Sequence, residues 1–257
     1  MNSGNTDSKK RKMKWGTPYS KMTVQQAEAR LNFQIRQFLR AALPVESMLA
    51  NGNNSENSVA ILKVDEIKEE VYKQLVRYLL VEGYPTDADP SFKEANINDL
   101  VYAAISPILE AVIRNTGRTN LQLLREKEIV STDGEAGGME EFVVIDEIYH
   151  AEGSYVVIVE AKRSSVGVAM KQCLLSLRDA RDNNERGEVY GFVTTGETWR
   201  MLTYDGNKFC VSRKFDLVFE GMAEEREKWM KEYSVMVDCM FFALRNGGVV
   251  MKDVVVR

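Results

Sequence analysis

One histidine, His150, stands among the 257 residues, with only three cysteines, Cys173, Cys210 and Cys239. A lone imidazole argues against His-rich metal sites and histidine-dependent hydrolysis. The cysteines are widely spaced and lack a C-x-x-C pair, so they indicate neither a disulfide framework nor a zinc site and fit free thiols in a reducing compartment. No P-loop, G-x-G-x-x-G or G-x-S-x-G stretch occurs, which leaves nucleotide-driven and serine-hydrolase readings without support. No uninterrupted apolar stretch approaches a membrane span, and the opening "MNSGNTDSKK" has no hydrophobic signal core. An intracellular protein without membrane contact is expected. The net charge of -4 and pI near 5.4 confine any polyanion contact to a local surface.

An apolar content of 44% is enough for a real core. Residues 1–22 are polar and carry the basic run Lys9, Lys10, Arg11, Lys12 and Lys14, which predicts a disordered tail serving as a nuclear-import signal or a phosphate-contacting arm. From Thr23, a plausible N-cap, Ala27, Leu31, Ile35, Phe38 and Leu39 have helical spacing up to Pro44. A second helix follows the loop "NGNNSENS", with Ile67, Val71, Leu75, Tyr78 and Leu79 on one face, so residues 23–95 read as an appended helical segment. From residue 96 the period changes. A helix from about Asn98 to Asn115, kinked at Pro107, precedes strands at Leu121 to Val130, Glu140 to Tyr149 and Tyr155 to Lys162. A helix at Ser165 to Arg181, a strand at Val189 to Thr194, a hairpin turning at "DGN" and a final helix at Met222 to Arg245 complete the chain. The class is α/β, with an α-β-β-β-α-β core over 96–257, an N-terminal helical extension and a C-terminal helix. Trp199, in an alternating strand, is expected in the core.

The stretch "YVVIVEAKRSSVGV" at 155–168 raises the chemical question. Its apolar, β-branched run fits a strand buried on both faces, and alternation puts Glu160 and Lys162 on one side, about 7 Å apart. Three [DE]-x-K tripeptides occur, at Asp7 to Lys9, Glu66 to Lys68 and Glu160 to Lys162, and only the third follows such a strand. The bland alternative is an ion pair at a sheet end, worth little if exposed. Arg163, Lys171, Arg178 and Arg181 give the region a basic flank suited to phosphates.

Element order and motif together resemble the PD-(D/E)XK nuclease superfamily over residues 98 to 194. The stretches "REKEIVSTDGEAGGMEEFVVIDEI", "IVEAKRSSVGVAMKQCLLSLRDARDNN" and "VYGFVTTGETWRMLTYDG" resemble more narrowly fungal proteins of the Crinkler and retrotransposon-hot-spot type, a likeness that extends to the C-terminus. The resemblance implies a restriction-endonuclease-like fold and a nuclease requiring Mg²⁺ or Mn²⁺, with nucleic acid as partner, DNA ahead of RNA, and a toxin-like effector role in a nucleus. Glu160 becomes a metal ligand, and Lys162 the group that orients water or steadies phosphate charge, so that Lys162→Ala should abolish cleavage with the fold intact. The preceding strand lacks the Pro-Asp dipeptide and offers Glu141 or Asp146 as first acid; a one-residue change of register exchanges which of them faces Glu160. Glu110 matches an acid some members place on the first core helix, and Gln172 the glutamine of the RecB-like branch. The alternative function is a catalytically inactive nuclease-fold module that binds or signals through a partner.

Overall fold

The structure, a computed structural model, describes residues 15–50, 58–85, 92–147, 153–164, 166–184 and 186–248. His150 and the basic run from Lys9 to Lys14 lie outside the described residues. In chain order the elements are β1 (Thr17–Pro18), α1 (Val24–Leu31), α2 (Ile35–Arg40), α3 (Val45–Ala50), α4 (Ser58–Glu82), α5 (Glu94–Asn115), β2 (Leu121–Val130), β3 (Ala136–Asp146), β4 (Ser154–Ala161), α6 (Val166–Asn183), β5 (Val189–Thr194), β6 (Thr198–Tyr204), β7 (Phe209–Val211), β8 (Phe215–Asp216), α7 (Arg226–Lys228) and α8 (Val235–Asn246). They form a mixed α/β architecture around one mixed sheet. β2, β3 and β4 make an antiparallel meander; β5 runs parallel to β4 after the α6 crossover, and β6 returns antiparallel.

Burial on both faces explains the near-continuous apolar runs of β4 and β5. One face packs on α6 through Val143, Ile158, Val193, Ala169, Cys173 and Leu177. The other packs on α4, α5 and α8 through Phe142, Val157, Leu75, Leu100, Ile108 and Met240. Helix α5 runs unbroken through Pro107. It is long and apolar enough to cross a membrane by length and composition, yet Leu100, Ala104, Ile105, Ile108 and Val112 are buried in this core. Trp199 is buried, its Nε1 donating to the Gly196 carbonyl at 3.1 Å.

Three expectations about elements are corrected. Residues 15–22 are not part of a free tail: Thr17 and Pro18 pair in parallel with Ala136 and Gly137, and Tyr19 is fully buried with its hydroxyl donating to Asp179 at 2.6 Å. The Lys171 ammonium donates to the Met22 carbonyl, locking the same segment onto α6. The helix from Thr23 is two helices, because Asn32 takes a left-handed φ of 61° after α1, while Thr23 caps α1 in a reciprocal box with Gln26. The final helix is broken into a 3₁₀ turn, α7, a π-helical turn at Trp229–Tyr233 and α8. The extra residue of that turn lets the buried Trp229 donate to the Leu217 carbonyl at 2.7 Å while packing on Tyr72.

Tyr19→Phe leaves the buried Asp179 with one donor fewer and is expected to cost about 1–3 kcal/mol, read as a lower denaturation midpoint with unchanged far-UV circular dichroism. Removal of residues 1–20 should be more damaging still, since it takes away β1 and Tyr19 together.

Candidate active site

β3 and β4 stay paired as far as Phe142 opposite Val159 and then part. β4 continues along β5, with Glu160 opposite Val193, whereas the matching edge of β3 is next taken up by β1 at Ala136 and Gly137. Glu140 and Glu141 fall in the gap between these pairings.

A change of face inside the β2–β3 hairpin decides where they point. Ala136 belongs to the core under α6, and Gly138 lies against the Tyr19 ring and Glu140, yet further along it is Val143 and Ile145 that face α6 while Phe142 and Val144 face α5. On β2 the switch falls at Glu126, whose φ is 51°: Leu124 before it and Ile129 after it share the α6 face. Even-numbered residues therefore face α6 before the switch in β3 and odd-numbered residues after it. Glu140 is turned towards α6, and Glu141 towards α5.

Glu140 and Glu160 meet in the space beneath α6, both with 0% exposure. The Ser176 hydroxyl donates to Glu140 Oε1 at 2.5 Å, and Gln172 Nε2 donates to Glu160 Oε1 at 3.0 Å. The remaining oxygens, Glu140 Oε2 and Glu160 Oε2, are buried and lack a protein donor. The carboxyls are close enough to share a hydrogen bond. Burial raises the Glu140 pKa to about 7. Burial and then the neighbouring Glu140 charge push Glu160 well above the ordinary carboxylate range. Such a pair holds a proton near neutrality.

Lys162 stands between this pair and solvent, with its side chain 19% exposed. Its backbone N–H donates to the Thr194 carbonyl at 3.0 Å, which fixes the strand end. Its ammonium donates to Glu94 Oε1 and Glu141 Oε1, each at 2.8 Å, and lies 3.7 Å from Glu160 Oε2. Asn98 Nδ2 donates to the other Glu141 oxygen at 2.9 Å. Burial works against the lysine charge, but the Glu141 hydrogen bond, the Glu160 charge and the Glu94 hydrogen bond outweigh it and raise the pKa above the ordinary lysine value.

The structure thus brings together Glu141, Glu160, Lys162 and Gln172 of the residues expected from sequence. Asp146 is corrected: it lies opposite Ser154 at the far end of the hairpin, where Arg118 Nη2 donates to it at 2.6 Å and Arg118 Nη1 donates to Leu244, a tie between the hairpin and α8. Glu110 is corrected as well, being an exposed helix carboxylate paired with Arg114 one turn away. Of the basic flank, Lys171 and Arg178 are spent on carbonyls of the N-terminal segment and Arg181 on the Asp205 carbonyl. Sequence reasoning missed Glu140, Ser176 and Asn98. The adjacent acids in "MEEF" were visible, but the face switch that turns the first of them inward was not.

Among the described residues no three His, Cys, Asp or Glu side chains converge as a metal cluster. Two carboxylates are nonetheless a fitting donor set for Mg²⁺ or Mn²⁺, because a small hard cation keeps several waters and takes only one or two protein carboxylates beside substrate oxygens. The two unpartnered oxygens are the observation that fits such an ion.

A carboxyl whose pKa is raised on folding stabilises the native chain fully below its ordinary value, and that contribution is lost as pH rises through the folded value. For Glu140 the window runs from 4.5 to about 7. In EDTA the protein is expected to melt several degrees lower at about pH 8 than at about pH 5.5, with the difference reduced in Glu140→Gln. A pH-independent difference between variant and wild type contradicts the buried acid pair.

No family model matches the chain, and no curated protein matches it.

Proposed function

We propose that the protein is a metal-dependent nuclease of PD-(D/E)XK type, with Glu140 as first acid, Glu160 as second and Lys162 as the lysine. The observation that carries this reading is the pair of buried carboxylates with one unpartnered oxygen each, set beside a lysine held in its charged form. Further support comes from the order α5, β2, β3, β4, α6, β5, with β4 and β5 parallel across α6.

Hydrolysis of a phosphodiester needs a water made nucleophilic and compensation for charge on the phosphoryl oxygens. Glu140 and Glu160 would hold the divalent ion, which when bound polarises a phosphoryl oxygen and acidifies its water. Ser176 and Gln172 each occupy one carboxylate oxygen, orienting the other into the space between the strands. Lys162 places a fixed positive charge at the mouth of that space, where it steadies a phosphoryl oxygen without reorganisation. Glu141 and Glu94 aim the ammonium, so Glu141 serves as a positioning residue. Burial excludes bulk water and strengthens each of these interactions.

A second reading has its own observation. Both acids are fully buried, and one shared proton would close the pair without any ion. A binding module that retains the fold would fit this. Incubation of the full chain with plasmid, single-stranded DNA and RNA in Mg²⁺ or Mn²⁺ separates the two. Cleavage that needs the ion and disappears in Glu160→Gln supports the nuclease; binding without cleavage under every condition supports the module.

A further inference from the structure

Beyond the carboxyl ends of β4 and β5 lies an open cleft of about 870 Å³ whose lining begins at Arg163, the residue that follows Lys162 in the chain. Arg163 and Ser164, the next residues in the chain, form one wall. Thr195 after β5, Thr198 at the start of β6, Lys214 and Tyr84 extend the polar lining, beside the apolar Phe92 and Ile97. We infer that this cleft binds single-stranded nucleic acid in preference to a duplex, and that Arg163 and Lys214 contact the phosphates flanking the one presented to Lys162. The inference rests on the nuclease reading of the Glu140–Glu160 site and names its substrate class.

Three features of the molecule carry it. The first is composition. The lining holds two cations against one acid, Glu197, whose Oε1 accepts the Tyr84 hydroxyl at 2.7 Å, together with hydroxyl groups and the half-buried Tyr84 ring. Cations that track a backbone, interleaved with an aromatic face on which a base can stack, are what a sequence-tolerant single-strand site requires. The second is recess. The acids have no exposure, and Lys162 is itself largely covered, so a phosphate must be delivered inward past the strand ends. A single strand rotates freely about its backbone and can do this, whereas a duplex must bend or open, at a cost of order 1–6 kcal/mol for bending alone. The third is charge. The chain is acidic overall, and Lys171, Arg178 and Arg181 on α6 donate to backbone carbonyl groups, so that helix does not present the long basic stripe of a duplex binder.

Two phosphate contacts set the expected salt dependence. Each contact to a single strand contributes a slope of about -0.7 in log K against log salt, so the pair should contribute about -1.4. The test is fluorescence anisotropy of a labelled mixed-sequence single strand and of its duplex, with the full chain in EDTA so that binding is read without cleavage. The single strand is expected to bind about tenfold more tightly. Arg163→Ala and the exposed-site variant Lys214→Ala should each weaken it several-fold and flatten the slope by about 0.7, whereas Lys208→Ala, at the remote turn before β7, changes neither. Lys214 is exposed, so its variant tests the cleft even where Arg163→Ala proves unstable. Equal or tighter duplex binding, absence of binding, or wild-type affinity in Lys214→Ala overturns the inference. Metal-dependent cleavage with unaltered binding in the cleft variants would leave the nuclease standing and remove the cleft; cleft-dependent binding without cleavage in Mg²⁺ would do the reverse.

Discussion

Glu140→Gln is expected to lose metal-dependent cleavage by at least about 1000-fold while making the metal-free protein more stable at about pH 8. The opposite signs have one cause. Glu140 is fully buried next to a second acid, and its pKa of about 7 against an ordinary 4.5 means that ionising it in the folded chain costs about 3 kcal/mol at alkaline pH. Glutamine has the same shape, still accepts from Ser176 Oγ, and brings an amide that can donate to the unpartnered Glu160 Oε2. The expected gain is about 2–3 kcal/mol, or roughly 5 °C or more in Tm. At about pH 5, where wild-type Glu140 is already protonated, the gain should nearly vanish. Loss of activity through misfolding would appear instead as a lower Tm at both pH values.

Lys162→Ala is the second large effect. Cleavage should fall by about 100- to 1000-fold, since a preset charge at the phosphoryl oxygens is removed. The sequence alone suggests that alanine costs the fold nothing, because a strand-end lysine fills no core volume. The structure changes that expectation. Lys162 is the counter-charge of Glu141 and Glu94 and lies next to Glu160, so its removal leaves acids at the strand ends without compensation. The cost is expected to be about 1–3 kcal/mol, discounted for the partial exposure of Lys162 and Glu94. Glu141→Gln provides the contrast: Lys162 keeps Glu94 and Glu160, so a moderate loss of kcat with near-normal stability is expected.

Much of the sheet was legible because its signals are local. The runs at Leu121–Val130, Val189–Thr194 and Thr198–Tyr204 carry their own β-branched or alternating patterns, and the structure places strands over those same spans. Glu160 and Lys162 were legible for a related reason, since they end an apolar run that can only be a buried strand. Gln172 sits ten residues beyond Lys162 on a helix whose start was clear, and it reaches Glu160. What failed was non-local. Tyr19 is ordered by Asp179, 160 residues away, which no window over a polar N-terminus can show. Glu140 was lost to an alternation count. Counting by twos from Phe142 puts Glu140 on the α5 face, but the left-handed Glu126 on the neighbouring strand accompanies a change of face, and an ordinary glutamate gives no warning of a positive φ. The split of the C-terminal helix is similar, being set by where Trp229 must reach to find Leu217.

Glu140 as first acid makes a direct prediction about metal binding. Titration calorimetry of Mn²⁺ into the metal-free chain at about pH 7.5, in two buffers of different ionisation enthalpy, reads both the affinity for the ion and the protons it displaces. The expected result is one site that releases about one proton, because the ion takes the place of the proton shared by Glu140 and Glu160. That site should be abolished in Glu140→Gln and in Glu160→Gln and retained in Asp146→Asn and Glu110→Gln. Wild-type Mn²⁺ affinity and proton release in Glu140→Gln, or loss of the site in Asp146→Asn, would contradict the assignment and return the buried pair to a purely structural role.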